Sequence, residues 1–298
     1  MISSRRAFLV WAAAALSTSA LVGCKDGSQK SAEAARADVQ KLVDLTARDV
    51  AEVERGLPEG AKKLTDLFAK EVGKDGDPKQ NVPAVRSALL KMRQQVPDLG
   101  VAKSTFFAFA DDKGIAVRND FEHDTMAGKD LVKAWPGIEP VLHGAAFAAT
   151  TGRFPGAPNP AGPDKEWVAA VPVKKADGTQ QGMLVTGWTY RRFAYHLQVT
   201  LQRELQDQLM RSNDKGKMPI IYVCLFDKET VYGAGAPGAL PVPEVNEKAL
   251  ARVGLHEKTE VGPAAGPLRI TDRDFGWGAA RLPKLGPDVG VVVLRSEI

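Results

Sequence analysis

The sequence predicts an α+β protein in which a helical N-terminal segment is followed by two antiparallel-sheet modules joined by a long helix. Apolar residues recur at helical spacing over residues 34–98, strand–turn–strand patterns begin near residue 105, and a similar order of patterns returns after residue 213. The chain has 298 residues, 44% of them apolar and 26% charged. This length and composition suffice for a substantial buried core, so a disordered or fibrous chain is excluded.

Residues 1–23 are typical of an export signal. Arg5 and Arg6 precede a short apolar run, residues 7–16, that is too short to span a bilayer. Ser4-Arg5-Arg6-Ala7-Phe8-Leu9 also resembles the twin-arginine motif, which directs the export of folded proteins. The alternative is an ordinary Sec signal with two adjacent arginines.

The segment Leu21-Val22-Gly23-Cys24 resembles the cleavage box of bacterial lipoproteins. In that family the cysteine becomes the first residue of the mature chain and its thiol carries the lipid. The resemblance implies lipid attachment at Cys24 and a location in the cell envelope, at the inner or outer membrane. The alternative is a secreted protein in which Cys24 has no role. The polar residues 24–33 are expected to form a flexible tether.

Three helices are predicted in the segment 34–98 and its approach. The first, over 33–55, has valines at helical spacing from Val39 to Val53 and is expected to end at Gly56 and Pro58. The second is expected over 61–73 and the third over 83–97.

The first sheet module, 99–212, is predicted from strands at 105–110, 115–118, 167–173 and 182–188, with a long helix after them and a loop over 152–165. The second module, 213–298, is predicted to repeat this order. Its strands are expected at 220–226, 230–232, 258–262, 267–271, 275–282 and 288–295, with a short helix near 244–252. The two halves therefore suggest a diverged structural repeat.

Three local patterns in the first module occur in a familiar order. They are Phe-Ala-Asp-Asp-Lys-Gly-Ile-Ala-Val at 109–117, Gly-Lys-Asp-Leu at 128–131, and Trp-Val-Ala-Ala-Val-Pro-Val at 167–173, which is followed by Asp177-Gly178. Together they resemble the Cache sensor domain, an extracytoplasmic relative of the PAS fold. The resemblance covers residues 100–212 well and 218–298 in outline, and it implies a double Cache arrangement. Most Cache domains feed a kinase or chemotaxis module, which this chain does not show, so a sensor of this kind is expected to act through a partner protein of the envelope.

The resemblance implies a small-molecule pocket between the concave face of the first sheet and the loop 119–165. Four residues are candidates for ligand binding there: Arg118, Trp135, Trp167 and Tyr190. An arginine can bind a carboxylate with two parallel hydrogen bonds, and aromatic rings can enclose an apolar group or a cation. The alternative is that the tryptophans are core residues and Arg118 is solvated.

Other classes of function have little support in the sequence. A net charge of +4 gives no electrostatic case for nucleic-acid binding. The four histidines lack metal-ligand spacing, and no cofactor or metal site is predicted. Gly233 begins a G-x-G-x-x-G pattern, but the prolines that follow delay any helix, so a dinucleotide site is rejected. No catalytic motif is recognised, and Cys224 lies in an apolar run typical of a buried strand.

The sequence therefore favours a lipid-anchored sensor that binds a small molecule without turnover. Carboxylates and amines are both candidate ligand classes. Two alternatives stay open. One is a structural or interaction lipoprotein that dimerises through the Val39–Val53 seam, and the other is an exported enzyme loaded with a cofactor before export.

Overall fold

A computed structural model describes residues 26–73, 76–103, 106–154, 164–212, 217–235 and 242–297. Arg5, Arg6 and Cys24 lie outside these ranges, so the export and lipid-attachment predictions remain predictions. The described α-helices are α1 (Asp26–Glu71), α2 (Val82–Gln95), α3 (Pro97–Val101), α4 (Leu131–Ala134), α5 (Tyr190–Ser212), α6 (Glu244–Ala251) and α7 (Leu255–Lys258). Two 3₁₀ helices cover Pro78–Gln80 and Pro136–His143.

The strands form two five-stranded antiparallel sheets. The first contains β1 (Phe106–Asp111), β2 (Ala116–Asn119), β3 (Ala148–Gly152), β4 (Glu166–Lys174) and β5 (Gln180–Thr189), in the order β2-β1-β5-β4-β3. The second contains β6 (Ile220–Phe226), β7 (Val231–Gly233), β8 (Ala264–Ile270), β9 (Arg273–Arg281) and β10 (Gly290–Ser296), in the order β7-β6-β10-β9-β8. Numbered within its own module, each order reads 2-1-5-4-3, and the predicted repeat is confirmed.

The turn after the first strand uses the same chemistry in both modules. Asp111 Oδ1 accepts hydrogen bonds from the backbone N–H groups of Lys113 and Ile115, both at 2.9 Å. In the second module, Asp227 Oδ1 accepts from Glu229 and Thr230, also at 2.9 Å. Aspartate side chains that cap the following backbone in this way stabilise tight turns, which explains the recurring Asp in the sequence pattern.

The prediction that the first helix ends at Gly56 and Pro58 is wrong, because α1 continues through both residues to Glu71. A Cβ atom on Gly60 would lie 2.7 Å from Leu99 Cδ1 and 2.9 Å from Met92 Sδ. The glycine therefore lets α2 and α3 pack directly against α1 at this point. Tertiary packing of this kind outweighs the low helix propensity of isolated Gly and Pro residues.

The prediction of a flexible tether over 24–33 is also wrong for its described part, since α1 begins at Asp26. The first turns of α1 pack on strand β9 at Gly276 and Gly278. A Cβ atom on Gly276 would lie 2.0 Å from the backbone nitrogen of Ala32, and one on Gly278 would lie 2.5 Å from the carbonyl carbon of Ala35. This close approach anchors the start of α1 to the second sheet.

Two predicted details of the sheets differ from the structure. Residues 258–262 were expected to be a strand, but α7 ends at Lys258 and a turn follows. Strand β3 was not predicted, because its residues Ala-Ala-Thr-Thr-Gly carry little apolar signal and lie at the edge of the sheet. The remaining strands fall within a few residues of their predicted positions.

Residues of α1 face the core along most of the helix. Val39, Val50 and Val53 are all buried, and they belong to the main apolar cluster, which also contains residues of both sheets. The Val39–Val53 seam is therefore buried within the chain's own core and is not available for dimerisation.

The first sheet separates two apolar clusters. On its helix-covered face Phe107, Trp167 and Leu184 join the main cluster with α1. The opposite face, here termed the concave face, is covered by residues 126–141 and has a second cluster. Alternation along β4 assigns Val168 and Ala170 to the concave face. The other members of the concave cluster include Phe106, Met126, Leu131, Trp135, Ile138, Val141, Met183 and Val185.

Candidate functional site

The Gly-Lys-Asp-Leu motif positions Trp135 on the concave face of the first sheet. Gly128 has a positive φ of 74°, a conformation that favours glycine, and Asp130 accepts a hydrogen bond from Lys133 N–H at 2.9 Å as the N-cap of α4. Leu131 is buried, and Trp135 follows at the end of the short helix, where the backbone N–H of Trp135 donates to Leu131 C=O at 2.8 Å. The motif therefore has a structural role that sets the position of the tryptophan.

The Trp135 ring is packed between the sheet and two aromatic rings. Its centroid lies 6.0 Å from that of Phe106 and 5.3 Å from that of Phe154. A Cβ atom on Gly152 would lie only 2.6 Å from Trp135 Cδ1, so the ring rests directly on strand β3. Trp135 is fully buried and belongs to the apolar cluster on this face of the sheet.

The carboxyl group of Glu166 lies beside the indole edge of Trp135. Glu166 is the first residue of β4 and pairs with Gly152 of β3. Its side chain lies on the same face of the sheet as that of Val168. Neither Glu166 Oε2 nor Trp135 Nε1 makes a hydrogen bond of standard geometry among the described residues, although both atoms are buried. The indole N–H still lowers the pKa of Glu166 slightly, as does a hydrogen bond from the Phe154 backbone.

Burial is the main influence on Glu166. Desolvation, followed by repulsion from the nearby Asp164 carboxylate, raises the pKa of Glu166 to about 7. Burial also raises the pKa of Asp164, whose Oδ1 accepts from the N–H groups of Lys165 and Arg191. A carboxyl group that titrates near neutral pH at the mouth of a concave sheet is a candidate functional group.

Two cations near Glu166, Lys165 and Arg191, form ion pairs with carboxylates of the second module. Lys165 Nζ lies 3.0 Å from Asp227 Oδ2, and the Arg191 guanidinium binds both carboxylate oxygens of Glu247, at 2.8 and 3.3 Å. Of the charged groups that shift the pKa of Glu166, Asp164 is a carboxylate and none is a cation. The local field at Glu166 is therefore negative.

The structure does not bring the four predicted ligand residues into one pocket. Trp135 alone lies on the concave face. Trp167 lies on the opposite face, where its ring stacks on Trp188 with centroids 4.4 Å apart. Tyr190 is buried where the modules meet, with its ring 5.1 Å from Tyr232. Both residues have a packing role.

Arg118 lies on β2 opposite Phe109, on the helix-covered face of the sheet. Its guanidinium pairs with Asp124 at 3.1 Å and donates to the carbonyl groups of Phe121 and Glu122 at 2.8 and 3.0 Å. These contacts hold the loop after β2. Arg118 also lines an open groove of about 620 Å³ on that side, next to Arg86 and Leu90.

The described ranges contain no group of three His, Cys, Asp or Glu side chains arranged to bind a metal ion. His196 faces Asp49 at 2.9 Å and His256 faces Asp288 at 3.2 Å. Cys224 is buried, and desolvation raises the pKa of its thiol, which disfavours the nucleophilic thiolate.

The sequence did hold a signal for Glu166. Extending the predicted strand 167–173 by one residue puts Glu166 at an inward position in register with Val168 and Ala170. A carboxylate at an inward position of an apolar strand is the exception that points to a function.

Comparison with known proteins gives a fold and no family. No protein-family model and no curated protein matches the chain. Among solved structures, a domain of a protein assigned to the sensory box/GGDEF family from Vibrio parahaemolyticus has a TM-score of 0.50 and 11% identity, with 91% of this chain and 97% of that one covered. The ligand-binding domain of the Campylobacter jejuni chemoreceptor Tlp3, in complex with 4-methylisoleucine, has a TM-score of 0.45 and 11% identity, with 87% and 91% covered.

An extracellular ligand binding receptor from Desulfohalobium retbaense has a TM-score of 0.45 and 13% identity; the match covers 86% of this chain and 40% of the receptor. The Vibrio parahaemolyticus match supports the fold class: the chain consists of two Cache/PAS-like α+β modules. No helix within the described ranges combines the length and apolarity needed to cross a membrane.

Proposed function

We propose that this protein is an extracytoplasmic sensor that binds a small molecule in its first Cache/PAS-like module without chemical turnover. The observation that carries the proposal is the duplicated sheet with strand order 2-1-5-4-3. The chain aligns along nearly its whole length with a domain of a protein assigned to the sensory box/GGDEF family. In the first module Glu166 and Trp135 lie on the concave face, and two of their buried polar atoms, Glu166 Oε2 and Trp135 Nε1, have no hydrogen bond of standard geometry among the described residues. Buried polar atoms of this kind are expected where a ligand completes the site.

A thermal-shift screen of residues 24–298 tests ligand binding, since this chain retains every described helix and strand. A ligand that binds the native state raises the melting temperature by mass action. The screen contains amino acids, carboxylates, amines and neutral alcohols. A reproducible, saturable shift with one class supports the proposal, whereas no shift with any class contradicts it.

We also propose that Cys24 carries a lipid which holds the chain at a membrane of the cell envelope. The lipoprotein-like segment 21–24 supports this, and α1 begins only two residues later, at Asp26. The anchor would therefore lie close to the second module, on which the first turns of α1 pack. Signal output is proposed to pass through a partner protein of the envelope.

Metabolic labelling with an alkyne analogue of palmitate tests the anchor. The wild-type chain and Cys224→Ser are expected to incorporate the label, and Cys24→Ser is expected to lose it. Cys224 is a matched control because it is the only other cysteine in the chain. Equal labelling of wild type and Cys24→Ser, or no labelling of the wild type, would contradict lipid attachment.

A further inference from the structure

The ligand class follows from the charges around Glu166. This step rests on the proposed function, because it concerns the same module. Strand β4 has two charged residues, of which Lys174 is exposed and Glu166 is half-buried. Glu166 has the same facing as the apolar residue Val168. Its Oε2 atom is buried and makes no hydrogen bond of standard geometry among the described residues, although the Trp135 indole edge and the Phe154 backbone N–H lie close to the carboxyl.

Three cations lie close to Glu166 in sequence or beside its neighbours Asp164 and Gly152, and none of them is among the groups that shift its pKa. Lys165 and Arg191 form ion pairs with Asp227 and Glu247 of the second module. Arg153, which follows β3, interacts with the Tyr232 hydroxyl of the second module. These cations therefore join the two modules, Arg191 also acts on Asp164, and within the described ranges no cation is paired with the Glu166 carboxyl.

The remaining groups around Glu166 are also unsuited to an anionic ligand. Asp164 adds a second carboxylate on the segment before β4, and the Trp135 indole edge and the Phe154 ring provide apolar walls. A ligand carboxylate would meet two acidic groups here. A ligand ammonium would meet a carboxyl that lacks a counter-ion, in a partly desolvated setting where ion pairing is strong.

From this arrangement we infer that the first module binds an organic cation, a compound with an ammonium group and a small apolar body, through an ion pair with Glu166. The Trp135 indole and the Phe154 ring would flank the apolar part of the ligand. The ligand ammonium would then be the counter-ion of Glu166, for which no cation of the described residues is in place.

The inference predicts a specific pH dependence of binding. Only the ionised carboxyl pairs with an ammonium group, and Glu166 becomes ionised as the pH rises through about 7. An amine that stays protonated to pH 9 is expected to bind about tenfold more tightly at pH 8 than at pH 6, because the ionised fraction rises about tenfold over that range. The other acidic group that acts on Glu166 is Asp164, whose pKa is also raised by burial and is lowered in part by the N–H groups of Lys165 and Arg191, the Thr189 side chain and the Arg191 charge.

The experiment uses residues 24–298 and a panel of putrescine, agmatine, 1-butylamine and choline, set against butyrate and 1-butanol. We expect a saturable thermal shift with at least one amine, a loss of at least tenfold in affinity in Glu166→Gln, and an unchanged affinity in Glu139→Gln. Glu139 is a matched control because its carboxylate is more than half exposed.

The outcomes separate the two proposals. If butyrate, 1-butanol or an amino acid of the wider screen shifts the melting temperature and the amines do not, ligand binding stands and the cation inference is overturned. If an amine binds equally well to Glu166→Gln and to the wild type, Glu166 is not its partner and the inference is again overturned. If no compound of any class binds, the proposed function itself fails.

Discussion

The two modules share a strand order but place their charged residues differently. Glu166 pairs with the last residue of β3, and the position with the same register in the second module, opposite the last residue of β8, is Arg273. Glu166 is half-buried on the concave face, and its Oε2 atom is fully buried, whereas Arg273 is exposed. In the second module the buried charge lies instead on Arg295, which pairs with Asp38 of α1. The first sheet thus has a half-buried carboxyl group with no cation paired to it among the described residues, whereas the second sheet has an arginine that forms an ion pair with α1.

This difference suggests a division of work between the modules. Close packing at the β9 glycines and the Arg295–Asp38 ion pair fix the second module to α1. Both contacts involve the first turns of α1, near the proposed lipid anchor at Cys24. The first module has the group suited to a ligand. Arg191 links them, because it lies in the first turn of α5 and binds Glu247 and Gly233 C=O of the second module.

The largest expected effect is in the second module. In Gly278→Val the new side chain would meet the backbone of α1 at Ala35, so the helix or the strand must move. We expect a loss of about 3 kcal/mol or more in the free energy of unfolding, measured by urea denaturation. Gly100→Ala is the control, because its Cβ would lie 3.7 Å from the nearest atom, the Arg93 carbonyl oxygen. Equal stability of both variants would contradict the close packing of α1 on β9.

Breaking the buried ion pair is expected to cost less. Asp38→Ala leaves Arg295, whose side chain is 13% exposed, with Glu297 as its remaining carboxylate partner. We expect a loss of about 2 kcal/mol. Lys41 also contacts Asp38 but is more exposed, so Lys41→Ala should cost well under about 1 kcal/mol. If the two variants lost similar amounts, the Arg295 pair would not be what holds α1.

In the first module, Glu166→Gln is expected to change the pH dependence of stability. The pKa of Glu166 in the folded protein, about 7, lies above its ordinary value of 4.5. The folded state thus holds the proton more tightly than the unfolded state, and the stability from this group is full below about pH 4.5 and decreases as the pH rises to 7. Without ligand, the variant should be more stable than the wild type at pH 8, by about 2 kcal/mol once the partial exposure of Glu166 is allowed for, and the advantage should vanish near pH 4.5. A difference independent of pH between 4 and 8 would contradict a buried, titrating Glu166.

The smallest effect is expected at Arg118. Arg118→Met removes the hydrogen bonds that hold the loop after β2, and we expect a loss of about 1 kcal/mol in thermal unfolding. Ligand affinity should not change, because the side chain lies on the face opposite Trp135. A tenfold weaker ligand affinity in this variant would restore Arg118 as a ligand residue.

The repeated sheets were predictable, because strand periodicity and Asp-containing turns are local features. The length of α1 was not predictable, since Gly56 and Pro58 are local helix breakers and only the packing of Leu99 against Gly60 shows why the helix continues. The pocket residues failed for a similar reason. Arg118 and Trp167 have the chemistry of ligand residues, but the face on which each lies depends on strand register, and register in turn identifies Glu166.

The central claim is tested most directly by titrating a protonated amine into residues 24–298 by calorimetry at pH 7 in two buffers of different ionisation enthalpy. An ion pair with Glu166 requires that the carboxyl give up its proton, so the binding enthalpy should depend on the buffer and report about half a proton released per ligand. In Glu166→Gln this proton release should disappear. Amine binding to the wild type with no proton release at pH 7 would contradict the account.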